Sequence, residues 1–268
     1  MSMNEIEIEE IRESGEQNYQ TSKKLLGDTL SLADDVLDLY RVLAEIMTKS
    51  QLAVRDEYAT ALHFLVGSQY QLTVGVLSAL RGHVPDALRG TRMAIELCAF
   101  AACVKRNPAL AVDWLNAGTS DAAYEVYRRK FTTSKLFPRG LREWKELKDR
   151  YDIAAKLSHP SVYMMAGHAR YRRTPTALNM EFHYFPLRHD DASEPTRTFL
   201  WIIDTHLKIL HAFEDVLRQA IVSDRARWNL RITTIDAKLD GHKQKWEQVC
   251  APRPRPIPSL GTIVIPRY

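Results

Sequence analysis

The sequence has few cysteines and no long apolar run, and each shortage excludes a class of protein. Three cysteines occur among 268 residues, and the spacing of Cys98, Cys103 and Cys250 is not that of metal ligands. The longest uncharged apolar stretch, residues 97–104, is far shorter than the roughly 20 residues of a membrane-spanning helix. The acidic N-terminus also lacks the apolar segment of a secretion signal. We therefore expect a cytoplasmic protein in a reducing compartment, with no membrane insertion.

Signature motifs are absent as well. The chain contains no phosphate-binding glycine loop, no metalloprotease helix motif, no paired-cysteine motif and no nucleophile elbow. A repeat of fixed period does not occur either, which excludes a solenoid. From the sequence we expect no cofactor and no metal, and whether the chain is an enzyme stays open.

Helical periodicity is what the sequence does contain. Apolar residues recur at spacings of three, four and seven, with glycine and proline mostly at the edges of the periodic segments. This pattern predicts an all-α fold, a helical bundle of four to six packed helices around a central apolar helix over residues 85–106. Further helices are expected over residues 22–48, from Ser50 to Gly82, and over residues 108–116, 121–131, 141–158, 196–223 and 228–249.

The remaining segments differ in composition from this bundle. Residues 1–21 form an acidic N-terminal segment, residues 22–249 the helical bundle domain, and residues 250–268 a Pro-rich C-terminal tail. The least helical part precedes the last two helices, and alternation within residues 177–185 predicts a short β-hairpin there.

Charge is distributed unevenly along the chain. Residues 1–40 carry three Lys and Arg against ten acids, a net charge of −7, whereas residues 81–173 carry eighteen against nine, a net charge of +9. The basic excess can attract an anionic partner such as RNA, DNA or a nucleotide. It can equally belong to solvated helix faces, because clustering in sequence does not require clustering in space.

One charged pair falls within the most apolar segment. Arg92 and Glu96 are four residues apart and share a helix face, with Arg89 one turn earlier. A carboxylate among apolar neighbours must be paired or protonated, which makes Arg92 the expected partner. The pair can be a structural link between helices, or Glu96 can orient Arg92 while Arg89 meets an anion.

A second candidate lies at the end of the helix predicted over residues 141–158. Ser158 and His159 are followed by Tyr163 and His168. A histidine at a helix C-terminus commonly caps carbonyl groups. Alternatively, His159 acts as a general acid/base or phosphate contact assisted by Ser158 or Tyr163, with His168 as a further anion contact.

The run from Leu88 to Glu96, with a turn at Gly82 before it and Asn107-Pro108 after it, resembles the central helix of an uncharacterised bacterial all-helical family. In that family an Arg and a Glu four apart recur on this helix, and a Ser-His segment follows later. The resemblance covers roughly residues 50–165 and a closing helix like residues 196–222.

That family is in turn similar to the HEPN superfamily of small helical bundles. The resemblance implies a bundle associated with RNA or a nucleotide, as an accessory of a bacterial defence or toxin system, with Arg92, Glu96, Ser158 and His159 as the matching positions. Ribonuclease members carry an Arg and a His closer together than Arg150 and His159, which have eight residues between them.

Three functional hypotheses follow. The first is a protein that binds RNA or a nucleotide through Arg89, Arg92 and the basic segment 128–150. The second is a non-catalytic interaction or scaffold protein that forms a homo-oligomer, or pairs with partner helices, through residues 22–48. The third is a weak hydrolase or ribonuclease, for which a metal-dependent version would need Glu96, His159 and His168 to meet.

Overall fold

The computed structural model describes residues 8–131, 137, 140, 142–158, 169–173, 178–182 and 193–250, and most of them are helical. The helices are α1 (Ile8–Leu26), α2 (Ser31–Lys49), α3 (Asp56–Leu80), α4 (Val84–Arg106), α5 (Ala109–Asn116), α6 (Asp121–Lys130), α7 (Trp144–Ser158), α8 (Ser193–Val216) and α9 (Arg225–Cys250). Short 3-10 turns precede α2, α3 and α9. The predicted all-α bundle is confirmed. Among these helices none is long and apolar enough to span a lipid bilayer.

A small hairpin interrupts the helical architecture. Strand β1 (Ala169–Arg173) pairs antiparallel with β2 (Leu178–Phe182), and Tyr171 lies opposite Met180 in the register. The second strand falls within the segment 177–185 in which the sequence predicts a hairpin. Its partner, however, precedes that segment. The tail after residue 250 lies outside the described part of the chain.

The helix predicted over residues 22–48 is broken, so that prediction is wrong in its continuity. Gly27 has φ +53°, and the turn Gly27–Leu30 separates α1 from α2. Glycine adopts this left-handed conformation without the steric cost of a Cβ. The apolar stripe of α2 packs inside the chain's own core, through the fully buried Leu32, Val36, Leu39, Tyr40, Leu43 and Met47. The apolar residues over 22–48 that the sequence analysis proposed for contacts with partner helices therefore contact the chain's own core in α2.

Helix α1 is joined to the end of α3 by side-chain hydrogen bonds. The Oγ of Ser22 donates to the carbonyl of Leu80 at 2.8 Å, and the Nδ2 of Asn18 donates to the carbonyl of Arg81 at 3.2 Å. These bonds satisfy carbonyl groups that a helix end leaves without a partner. The boundary placed between residues 21 and 22 consequently falls inside a single helix that contacts the bundle.

The acidic excess of the N-terminal region is matched by basic residues of α9. Asp28 accepts from Lys245 at 2.7 Å, Asp35 pairs with Lys238, and Asp38 lies 3.0 Å from Arg231. Helices α2 and α9 are therefore joined by cross-helix ion pairs along an antiparallel seam. Since most of these side chains are at least one-third exposed, solvent screens the pairs and each contributes little to stability.

Helices α3, α4 and α8 form the centre of the bundle. α3 packs along α4, α8 contacts both, α7 packs along α4, and α2 and α9 cover α8. Helix α8 has no exposed residue from Phe199 to Val216. Helix α4, which the sequence predicts to be apolar nearly all round, keeps one strip open to solvent, and Met93 on that strip is 48% exposed.

His206 is a fully buried polar residue in this centre. Its Nδ1 lies 2.9 Å from the hydroxyl of Tyr40, another fully buried residue. Burial disfavours the charged imidazolium and lowers the pKa of His206 to about 3. The imidazole is therefore neutral in the folded protein over most of the accessible pH range.

We expect the stability of the protein to fall as the pH drops below 6.5. In the unfolded chain His206 takes a proton near its ordinary pKa of 6.5, whereas in the folded chain it does so only near 3. The unfolded state thus binds more protons in this window, and the loss at pH 5 is about 2 kcal/mol. Urea unfolding at neutral pH and at about pH 5 measures it. The glutamine of His206→Gln does not titrate, so the unfolding free energy of this variant should fall by about 2 kcal/mol less than that of the wild type between neutral pH and pH 5. An equal fall in both proteins would contradict the prediction.

Candidate functional site

Helix α6 is the most exposed helix of the described chain. It begins at Ser120, whose Oγ accepts a hydrogen bond from the backbone N–H of Ala123 at 3.2 Å, as expected for an N-cap. None of its residues is buried. A helix of this kind adds little to the core, because almost none of its surface is removed from water.

Aromatic rings attach α6 to the bundle. Phe100 of α4 lies perpendicular to Phe131 with ring centroids 4.9 Å apart, and Phe131 lies 5.0 Å from Tyr127. The series continues to Tyr124, whose ring is 5.9 Å from that of Tyr127. Because Tyr124 is 51% exposed, the series of rings runs from the interior to the solvent.

Basic residues end α6 directly beside these rings. Arg128 donates to the carboxylate of Glu125 at 3.0 Å, and Lys130 lies 2.6 Å from Asp113 of α5. Arg129 is exposed and has no ion-pair partner among the residues that the structure describes. Two exposed or half-exposed tyrosines and three consecutive cations thus share a short surface helix.

The Arg92–Glu96 pair borders the same surface. The Nε of Arg92 lies 3.6 Å from Oε1 of Glu96, and the side chains are 24% and 22% exposed. Burial raises the pKa of the Tyr127 phenol, and the charge of Glu96 contributes to the rise. Glu96 therefore faces α6, at the open edge of α4. With 22% of its side chain exposed, this carboxylate is partly and not fully enclosed by its neighbours, and it is paired with Arg92 as the sequence predicts.

Arg89 does not join this pair. Its guanidinium donates to the carboxylate of Asp86 at 2.5 Å, one turn earlier in α4, and both side chains are more than half exposed. The structure therefore brings Arg92 and Glu96 together and leaves Arg89 in a separate surface pair.

Ser158 is the last residue of α7. Its side chain is buried, and its Oγ has no hydrogen-bond partner within the described ranges. A Cβ at Gly140 would lie 3.5 Å from the guanidinium of Arg106, so α7 begins near the end of α4. Since α7 then packs along α4, it runs back toward the half that carries Arg92. His159, Tyr163 and His168 lie outside the residues that the structure describes.

A charged cluster that the sequence analysis missed joins α7, α8 and α9. Arg150 donates to the carboxylate of Asp204 and to Oγ1 of Thr205 at 2.7 Å, and Lys243 donates to Asp204 at 2.8 Å. The side chains of Arg150 and Asp204 are each 16% exposed. Burial alone would raise the pKa of Asp204, but attraction by Arg150 and Lys243 outweighs it and holds that pKa below 3.8.

A weak signal in the sequence could have revealed this cluster. Asp204, Lys208 and His211 follow one another at spacings of four and three in a helix that is mostly apolar over residues 199–213. Such a stripe requires polar partners from neighbouring helices. The structure supplies them, because His211 bonds to Asp236 of α9 at 2.9 Å and Lys208 lies 2.7 Å from Glu146 of α7.

Within the described part of the chain no group of three or more His, Cys, Asp or Glu side chains is placed to hold a metal ion. Comparison with protein-family models, with curated proteins and with solved structures finds no match to this chain. The resemblance to the HEPN superfamily and the weak hydrolase or ribonuclease therefore stay predictions.

Proposed function

We propose that the protein binds single-stranded RNA through the α6 face, defined as Tyr124, Tyr127, Arg128 and Arg129. The observation that carries the proposal is the series of rings that emerges at Tyr124 on a helix with no buried residue. Proteins that bind single strands combine exposed aromatic rings, on which bases stack, with cations that follow the phosphates. An accessory role in a bacterial defence or toxin system is part of the same proposal.

The rings of Tyr124 and Tyr127 form a platform on which bases can stack, and packing on Phe131 and Phe100 fixes its position. Tyr127 contacts Phe131, and Phe131 contacts Phe100, so the exposed Tyr124 ring extends from an anchored row. An anchored ring loses little side-chain entropy when a base stacks on it. Stacking of one base on such a ring contributes about 1–3 kcal/mol.

The charges around the platform favour an anion. Arg128 and Lys130 are each engaged with one carboxylate, whereas Arg129 extends into solvent. The charge of Glu96, paired with Arg92 on α4, contributes to the raised pKa of the Tyr127 phenol, so the pair lies near the platform. In this proposal the pair is a structural link that positions the platform.

The test is fluorescence anisotropy with a labelled single-stranded RNA of mixed sequence at low salt. We expect the affinity to fall by about fivefold to a hundredfold in Tyr124→Ala, and to stay near the wild-type value in Tyr124→Phe, which keeps a ring. Arg129→Ala should reduce the slope of log affinity against log salt by about 0.7. Arg227→Ala, at an exposed position of α9, is the matched control and should bind like the wild type.

Two results of these titrations would overturn the proposal, and a comparison with double-stranded RNA gives a third. One is the absence of RNA binding at low salt by a protein whose circular dichroism shows it to be folded. The other is binding that Tyr124→Ala leaves unchanged, since the RNA would then lie on another surface. Binding to a double strand as tight as to a single strand would also exclude base stacking as the source of affinity.

A further inference from the structure

Helix α3 has an exposed stripe on the side away from the core. Exposed residues recur at spacings of three and four over most of its length and continue just past its C-terminal end; we call them the outer stripe of α3: Asp56, His63, Val66, Tyr70, Thr73, Leu77 and Arg81. This spacing is that of residues which face a second helix in a coiled coil. The opposite side of α3 packs on α2, α4 and α8, and the ring of His63 lies 5.6 Å from that of Trp114 in α5. Within the described chain the stripe is therefore uncovered mainly from Val66 to Arg81.

The middle of the outer stripe is apolar. Tyr70 is 64% exposed, Val66 48% and Leu77 38%. Exposed Met93 of α4 widens this apolar surface, because Gly67 faces Leu97 and Gly90 faces Gln71 across the α3–α4 contact. Clustered apolar side chains of this kind mark contact surfaces more often than scattered ones do.

The two ends of the stripe carry opposite charges. Asp56 and Arg81 are both exposed, and neither has an ion-pair partner in the part of the chain that the structure describes. They lie about 37 Å apart along the helix axis. A second copy of α3 in parallel would set like charges against each other. An antiparallel copy sets Asp56 of each chain beside Arg81 of the other, at both ends of the contact.

We propose that the outer stripe of α3 is the seam of a two-fold symmetric, antiparallel homodimer. The symmetry axis passes midway between Asp56 and Arg81, next to Ser68. Tyr70 then lies over the other chain's Val66, so that two exposed apolar side chains meet on each side of the axis. Such a contact is self-complementary, because each residue pair occurs twice. The proposal does not depend on RNA binding.

Charge reversal tests the seam directly, with sedimentation equilibrium across micromolar concentrations as the measurement. Asp56→Arg places two arginines at each end, and Arg81→Asp places two aspartates there. Each single variant should raise the dimer dissociation constant about tenfold, since two exposed ion pairs become two repulsions. The double variant should dimerise like the wild type. An equimolar mixture of the two single variants should form heterodimers, because every contact then joins opposite charges.

Matched controls separate the seam from general effects. Glu45→Arg and Arg227→Asp reverse exposed charges elsewhere and should leave dimerisation unchanged. Tyr70→Asp should weaken the dimer about a hundredfold, whereas Leu230→Asp, at a residue of α9 that is 70% exposed, should not. Thermal melting by circular dichroism verifies that each variant is folded. A wild type that stays monomeric overturns the proposal, as does a dimer that both single reversals leave intact or a mixture that forms no heterodimer.

Discussion

Gly90→Leu is expected to destabilise the protein by about 3 kcal/mol, because it inserts a side chain where α3 and α4 approach most closely. A Cβ at Gly90 would lie 3.4 Å from the carbonyl oxygen of Gln71 and 3.8 Å from the backbone N of Gly75. Across the same contact, a Cβ at Gly75 would lie 3.4 Å from the carbonyl of Ala87. Backbone atoms cannot rotate away as a side chain can. The two helices must therefore separate along their largest contact.

Two glycine controls distinguish this steric effect from helix propensity. Gly90→Ala adds a Cβ whose nearest neighbour is the flexible amide of Gln71 at 3.2 Å, so the change in stability should be small. Gly241→Leu lies in α9 with no atom within 4 Å of the new Cβ, and it should stabilise by up to about 1 kcal/mol. Urea unfolding gives the free energies. A Gly90→Leu protein as stable as the wild type would show that α3 and α4 are not in tight contact.

Helix ends could be predicted from the sequence where glycine and proline mark them. Gly82 adopts φ +88° just after α3, and Pro85 occupies the first turn of α4, so both helix boundaries fall where these residues place them. Gly27 carries the same signal, but it lies inside an apolar stripe that continues on both sides. Periodicity favoured one helix, and the left-handed glycine divides it.

Burial was harder to predict than helicity. The neighbours of Glu96 in the sequence are apolar, which suggested an enclosed carboxylate. In the structure Met93, one turn away, is nearly half exposed, and the side chains of Arg92 and Glu96 are 24% and 22% exposed. Residues distant in sequence decide which side of a helix is covered. For the same reason the Arg150–Asp204–Lys243 cluster could not be predicted from the sequence, because its members come from three different helices.

Asp204→Ala is expected to cost about 3 kcal/mol at neutral pH, because it breaks a largely buried ion pair. It removes the carboxylate acceptor of Arg150, whose side chain is 84% covered and would keep Thr205 and the carbonyl of Trp201 as its hydrogen-bond acceptors among the described residues. A buried cation without a counter-charge is the costly state. Lys243→Ala, the matched control, should cost less than about 1 kcal/mol, because Lys243 is 40% exposed.

Two further measurements assign the loss to the ion pair. Replacing both partners, as Arg150→Met with Asp204→Leu, leaves no buried charge and should recover most of the stability lost in Asp204→Ala. The effect also depends on pH with a defined sign. Because the folded protein holds the pKa of Asp204 below its ordinary 3.8, the carboxylate stabilises fully above that pH and progressively less below it. The difference in unfolding free energy between the wild type and Asp204→Ala should therefore be constant from neutral pH down to about 4 and shrink in stronger acid. A difference that stays constant throughout would mean that packing, and not charge, is lost.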